Sequence, residues 1–118
     1  MGKLSETVGN SGEQIAESYL KKNSFKFTCR NYHSCYGEID MIFSDEHFIV
    51  FVEVKLRKVG CIANALEYVS RSKQKKIIKT AYEYIAKNNI KIQPRFDVIE
   101  IVNCNKEFKI NHIKNAFG

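Results

Sequence analysis

Residues 36–58 read YGEIDMIFSDEHFIVFVEVKLRK, two apolar runs broken by carboxylates where a protein core is expected. Both runs are dense in Ile, Val and Phe, the composition of strands, and the polar SDEH between them reads as a turn. Alternation puts Phe48, Val50, Val52, Val54 and Leu56 on one face of the second run and Ile49, Phe51, Glu53 and Lys55 on the other. In the first run Glu38, Asp40 and Ile42 share a face. A connection with an even number of residues, such as SDEH, pairs Phe43 with Phe48 and sets Asp40 opposite Phe51, diagonally adjacent to Glu53. Asp40, Glu53 and Lys55 then converge on one patch; an odd connection would put Asp40 on the reverse face.

Two carboxylates a few ångströms apart in a partly dry place resist ionising together unless a cation lies between them. A hard divalent ion such as Mg²⁺ supplies that charge, takes oxygen ligands and keeps waters for a substrate phosphate. It also polarises a phosphodiester and lowers the pKa of an attacking water, while a neighbouring lysine such as Lys55 can hold that water or stabilise the charge that develops. The plainer reading is a cross-strand ion pair, Glu53 with Lys55, and a solvated Asp40. The third charge on the adjacent strand, amid otherwise apolar residues, favours a site.

The chain is one domain of 118 residues, with a polar segment 1–10 expected to be loosely ordered and a folded unit over 11–118. SGEQIAESYLKKN carries a Ser cap and then Ile15, Ala16, Tyr19 and Leu20 at helical spacing. FKFTCR alternates as a first strand, ahead of the two strands above. Residues 59–71 read as a loop with a short helix around NALEYV. A second helix runs from Ser72 to Lys87, with Ile77, Ile78, Ala81, Tyr82 and Ile85 as its stripe and Lys75, Lys76, Lys79 and Lys87 opposite. Pro94 precedes a strand RFDVIEIV, and a short strand EFKI and a tail NHIKNAFG close the chain. The order α-β-β-β-α-β-β predicts an α/β fold, a mixed five-stranded sheet with flanking helices.

A net charge of +6, from 19 Lys+Arg against 13 Asp+Glu, favours a polyanionic partner, although a general richness in Lys gives the same balance without function. Arg57, Lys58, Arg71 and Lys73 are the candidates for nucleic-acid backbone contacts, because strand and helix ends bring them toward the carboxylates. Tyr82 and Tyr84 read as helix packing. Glu13 lies at the margin of the first helix's apolar face and either reaches over the sheet or serves the helix dipole. Gln74 falls on the second helix's stripe; its amide is either satisfied by backbone or turned to the site. Cys29, His33 and Cys35 form the densest nitrogen and sulfur cluster but lack a fourth ligand at a familiar spacing. No CxxC pair, no apolar leader and no membrane-length run occur, which predicts a cytoplasmic protein with reduced thiols. His47 and His112 show no partner in the sequence and receive no role.

GEQIAESYL, RNY, GEIDMI, FVEVKLR, the Lys73-Gln74 pair, RFDVIEI and HIKNAF, in that order, resemble the YraN family of predicted endonucleases. The resemblance covers the chain from about residue 9 and extends to archaeal Holliday junction resolvases, implying the restriction-endonuclease-like (PD-(D/E)XK) fold. It implies a Mg²⁺-dependent DNA endonuclease, with Mn²⁺ substituting, that acts on branched or junction DNA in repair or recombination. The family pattern falls on Glu13, Asp40, Glu53 and Lys55 as catalytic residues: Asp40 and Glu53 as metal ligands, Glu13 completing the shell and Lys55 assisting the water, with Glu38 and Gln74 supporting. Leu56 departs from the Thr that many relatives carry after the lysine. A symmetric homodimer is likewise implied by the resemblance. The competing expectation is a non-catalytic module that keeps the fold to bind nucleic acid or a protein, and RNA is a third possibility.

Overall fold

The computed structural model describes residues 3–58, 69–104 and 107–118, with side chains for 12–57, 69–103 and 107–118. Among the described residues seven elements follow one another: α1 (Lys3–Lys22), β1 (Lys26–His33), β2 (Glu38–Ser44), β3 (Phe48–Lys58), α2 (Arg71–Lys87), β4 (Gln93–Cys104) and β5 (Glu107–Phe117). They build a mixed α/β domain with one five-stranded sheet in the spatial order β1-β2-β3-β4-β5. Only β3 and β4 run parallel, because α2 carries the chain across between them. The short helix expected around NALEYV falls almost wholly outside the described residues. Among those described, no helix is long and apolar enough to cross a membrane.

Each face of the sheet has its own core. Ala16 and Leu20 of α1 pack with Met41, Phe43, Val50, Val52, Ile99 and Ile101 on one side. Ile77, Ala81 and Tyr84 of α2 pack with Ile42, Ile49, Phe51, Phe96 and Val98 on the other. The alternation of β3 is therefore that of a strand buried on both faces, which is why both sets of its residues are apolar until Glu53.

Three elements differ from expectation. Helix α1 reaches back to Lys3, since no proline interrupts the polar segment and extending a helix that is already packed costs little. The tail after EFKI continues β5 to Phe117, because Ile113, Ala116 and Phe117 pack against the α2-side core. On α2 it is Tyr84 rather than Tyr82 that joins the core, edge-on to Tyr32 and Phe51, with Thr80 buried beside it.

The β2–β3 hairpin keeps the expected parity but pairs Phe43 with Val50, not with Phe48. Asp45 sets this register: its Oδ1 accepts hydrogen bonds from the backbone N–H of His47 and of Phe48, each at 2.8 Å, making a turn of Asp45 to Phe48. The two-residue slip leaves the parity of the hairpin unchanged and brings Asp40 level with Glu53. Opposite Asp40 on β1, Asn31 adopts φ 55°, and the alternation breaks there, so that both Ile39 and Ile42 reach the α2 side.

Candidate active site

The ladder between β2 and β3 runs only as far as Met41 and Val52. Beyond that pair the Val54 N–H donates to Oδ2 of Asp40 at 2.9 Å, so a side chain takes the place of a strand partner. Asp40 thus stands in the opening between the strands. Glu53, buried to 4% exposure, faces it from β3. Burial first, and then the charge of Glu53, push the Asp40 carboxyl up from 3.8 to about 7, while the Val54 hydrogen bond pulls the other way. Glu13 adds to the repulsion from α1.

Two lysines answer Glu53 on one oxygen. Lys55 Nζ lies 3.3 Å from Oε2, and Lys73 Nζ, from the first turn of α2, lies 2.5 Å from the same atom. Burial lowers the Lys73 pKa, but the Glu53 carboxylate outweighs it and the net shift is upward. Helix α2 is fixed at this end by Ser70, whose Oγ accepts from Lys73 N–H at 3.1 Å, so the lysine stem starts from a capped turn.

Glu13 is positioned by packing at its neighbour. A methyl on Gly12 would meet Cδ2 of Leu56 at 2.8 Å, so glycine lets α1 settle on β3 at this level. Glu13 Oε1 sits 3.9 Å from Nε of Arg30, which also pairs with Glu17. The structure therefore brings Asp40, Glu53 and Lys55 together with Lys73, while Glu13 pairs with Arg30 and reaches Asp40 through its charge. It does not bring Glu38 into that group: its carboxylate is exposed and held by His33 at 3.0 Å. Gln74 takes the satisfied-amide alternative, donating to the Val69 carbonyl at 2.9 Å. Arg71 is exposed at the start of α2, and the Lys58 side chain lies outside the described residues.

Arg57 departs from its expected role as an open phosphate contact. It shares a face with Glu53 and Lys55, and its Nε is 3.5 Å from Oε2 of buried Glu100. Glu100 is the residue that sequence reading missed. It pairs in register with Lys55 and also accepts from Asn111 Nδ2 at 3.3 Å. The same clue that marks Glu53, a carboxylate inside an apolar strand, was present in RFDVIEI. His112 was likewise missed: it lies between Asp97 and Tyr19 on the opposite face.

Among the described residues, no three His, Cys, Asp or Glu side chains stand ready to hold a metal ion. That applies to Cys29, His33 and Cys35, whose two thiols are free. It applies also to the acidic group, where lysines occupy Glu53. The donor chemistry of Asp40 and Glu53 still fits a hard cation, since two adjacent oxygen donors, one held at about 7, gain from a positive charge between them.

Fold and site define a mixed α/β domain with a carboxylate pair and lysines in the split of its sheet. Comparison with known proteins places it more narrowly. The chain belongs to the UPF0102 (YraN) family, described as an uncharacterised protein family, whose pattern it matches over residues 12–101. It is 47% identical over 116 residues to a UPF0102 protein of Caldanaerobacter subterraneus, covering 95% of each chain. It is 39% identical over 117 residues to one of Alkaliphilus oremlandii, covering 97% of this chain and 100% of the relative. It is 40% identical over 113 residues to one of Vibrio parahaemolyticus, covering 94% and 92%.

Proposed function

We propose that this chain is a Mg²⁺-dependent DNA endonuclease of the restriction-endonuclease-like class, akin to Holliday junction resolvases and acting in the cytoplasm on branched DNA in repair or recombination. One observation carries the reading: Asp40 and Glu53 face each other in the sheet opening with Lys55 on the Glu53 carboxylate. Asp40 and Glu53 would hold the ion, Glu13 would complete its shell directly or through water, and Lys55 would orient the attacking water and stabilise charge on the phosphate. When bound, Mg²⁺ or Mn²⁺ lowers the pKa of that water and polarises the phosphodiester. A two-fold dimer suits cutting of paired strands.

The test is cleavage of a labelled panel (four-way junction, flap, duplex, single strand, RNA) with Mg²⁺ or Mn²⁺, comparing wild type with Asp40→Ala. Metal-dependent cutting of a DNA substrate that disappears in the variant is the expected result. If neither protein cuts while both shift the same substrate equally in a gel, the chain is a binding module.

That second reading draws on one specific observation, the lysines already neutralising Glu53. On the nuclease reading Lys73 is a resident counter-ion that the metal displaces. Lys73→Met then tightens Mn²⁺ binding by about fivefold, the worth of a part-exposed ion pair of roughly 1 kcal/mol. Calorimetric titration measures it; unchanged or weaker binding speaks for lysines that stay in place.

A further inference from the structure

The loop between β1 and β2 lies on α2 and projects an aromatic ring over that helix. Ser34 N–H donates to the Gly37 carbonyl at 2.8 Å and Tyr36 N–H to Ser34 Oγ at 3.0 Å, while Ser34 Oγ reaches Thr80 Oγ1 at 3.3 Å. Gly37, at φ 159°, brings the backbone against Lys76 and Thr80. This bonded turn holds Tyr36 out at 48% exposure, and one helical face away Tyr82 is 53% exposed. The two tyrosines line one groove of about 480 Å³ together with Ile78, Lys79 and Glu83. A second groove of about 290 Å³, lined by Gly37, Glu38, Lys73 and Lys76 among others, adjoins the other side of the loop and leads to Glu53.

Charge along this path is mixed, Lys73, Lys76 and Lys79 against Glu38 and Glu83. The Glu83 carboxylate accepts from Tyr32 Oη at 2.9 Å and Glu38 is held by His33. Among the described residues neither Lys76 nor Lys79 stands in an ion pair. Lys75, Lys79 and Tyr82 recur at helical spacing, so two ammonium groups and one ring share a side of α2. From Lys73 to Tyr82 the helix rises about 14 Å, the span of a few nucleotides. The centre of a protein-binding patch is depleted in lysine, whereas a single strand needs both an aromatic stack and backbone cations.

We propose that the surface winding round α2 from Lys73 through Lys76 and Lys79 to Tyr82, with Tyr36, is a track for unpaired nucleotides of a DNA strand. Tyr36 and Tyr82 stack bases, and Lys76 and Lys79 hold phosphates, feeding the strand toward Glu53. Duplex DNA keeps its base faces covered and cannot use the rings. The inference rests on the nuclease reading for its choice of DNA and narrows the substrate to one with a single-stranded segment, such as a flap.

Binding is measured by fluorescence anisotropy in EDTA, so that it is independent of cutting, with labelled single-stranded DNA, blunt duplex and single-stranded RNA. Tyr36→Ala with Tyr82→Ala weakens single-strand DNA binding by roughly tenfold or more, the stacking of two bases, and leaves duplex binding unchanged. Phe at both positions restores it, and Lys79→Ala flattens the dependence of log Kd on log salt by about 0.7. Single-strand binding equal to wild type in the Ala variant, equal losses on single strand and duplex, or tighter binding of RNA than of DNA overturns the proposal. Failure of cleavage with these binding results intact counts against the nuclease reading alone.

Discussion

Asp40→Asn is expected to abolish metal-dependent cleavage and at the same time make the protein more stable above neutral pH. Asparagine keeps an oxygen for the Val54 N–H and gains an amide that donates to Glu53, which is what a protonated Asp40 does. The sign follows from the raised carboxyl. In the unfolded chain it ionises near 3.8, in the fold near 7, so the folded state holds the extra proton between these values. Stability from this group falls as pH rises through that window; the penalty is absent below 3.8 and complete above about 7, where it reaches roughly 4 kcal/mol. At pH 8 the Asn variant should therefore melt about 10 °C higher than wild type, and the two should converge near pH 4. Cleavage falls by roughly a thousandfold or more, since several kcal/mol of charge stabilisation depend on the metal. Mg²⁺ raises the melting temperature of wild type at pH 8 and leaves Asp40→Asn unmoved. A variant less stable than wild type at pH 8, with the same pH slope, means that Asp40 is comfortably ionised and the carboxylate repulsion does not exist.

What could be read from the sequence was whatever has a period. Alternation in VFVEVK assigned Glu53 and Lys55 to one face, and the parity of the hairpin assigned Asp40 to it, because neither depends on the exact register. The register itself rested on the side chain of Asp45 folding back on its own turn, a local bond that leaves the pattern unchanged when the pairing slips by two. Long-range partners left no periodic trace. Arg57 looked like an open cation after the strand until Glu100, on the parallel neighbour, claimed it. Lys73 was placed near the carboxylates as a contact for a phosphate backbone, yet its partner is Glu53 itself. Tyr82 fell within the apolar stripe of α2 by spacing, but the helix turns Thr80 and Tyr84 inward instead, a rotation set by the rings of Tyr32 and Phe51.

Asp97→Ala is expected to be the most damaging single change to the fold. Asp97 is fully buried, yet it is surrounded by donors: Arg95 binds both its oxygens at 2.9 and 2.8 Å, His112 Nε2 lies 2.7 Å from Oδ2, and Asn115 N–H donates to Oδ1 at 3.0 Å. His112 extends the chain to Tyr19 on α1, whose Oη is 3.1 Å from Nδ1. One carboxylate thus ties the end of β5, past the register shift near Phe96, to the first helix. Burial raises the Asp97 pKa, but His112 first, then Arg95 and the Asn115 N–H, bring it below 3.8. The group contributes stability that is present above its ordinary value and lost as pH falls through the lowered one. Removing it takes the buried partner from a partly buried guanidinium and from His112, a loss of roughly 3–5 kcal/mol, a large share of the total for a domain of this size. Urea unfolding at pH 7 measures the loss, and repeating it toward pH 3 should show wild type descending toward the variant. A loss under about 1 kcal/mol at pH 7 means that water replaces the carboxylate and the network does not hold β5. Because this network lies on the α1 side of the sheet, away from the Lys73 face, the folded fraction of Asp97→Ala should bind single-stranded DNA as wild type does, separating a scaffold residue from a functional one.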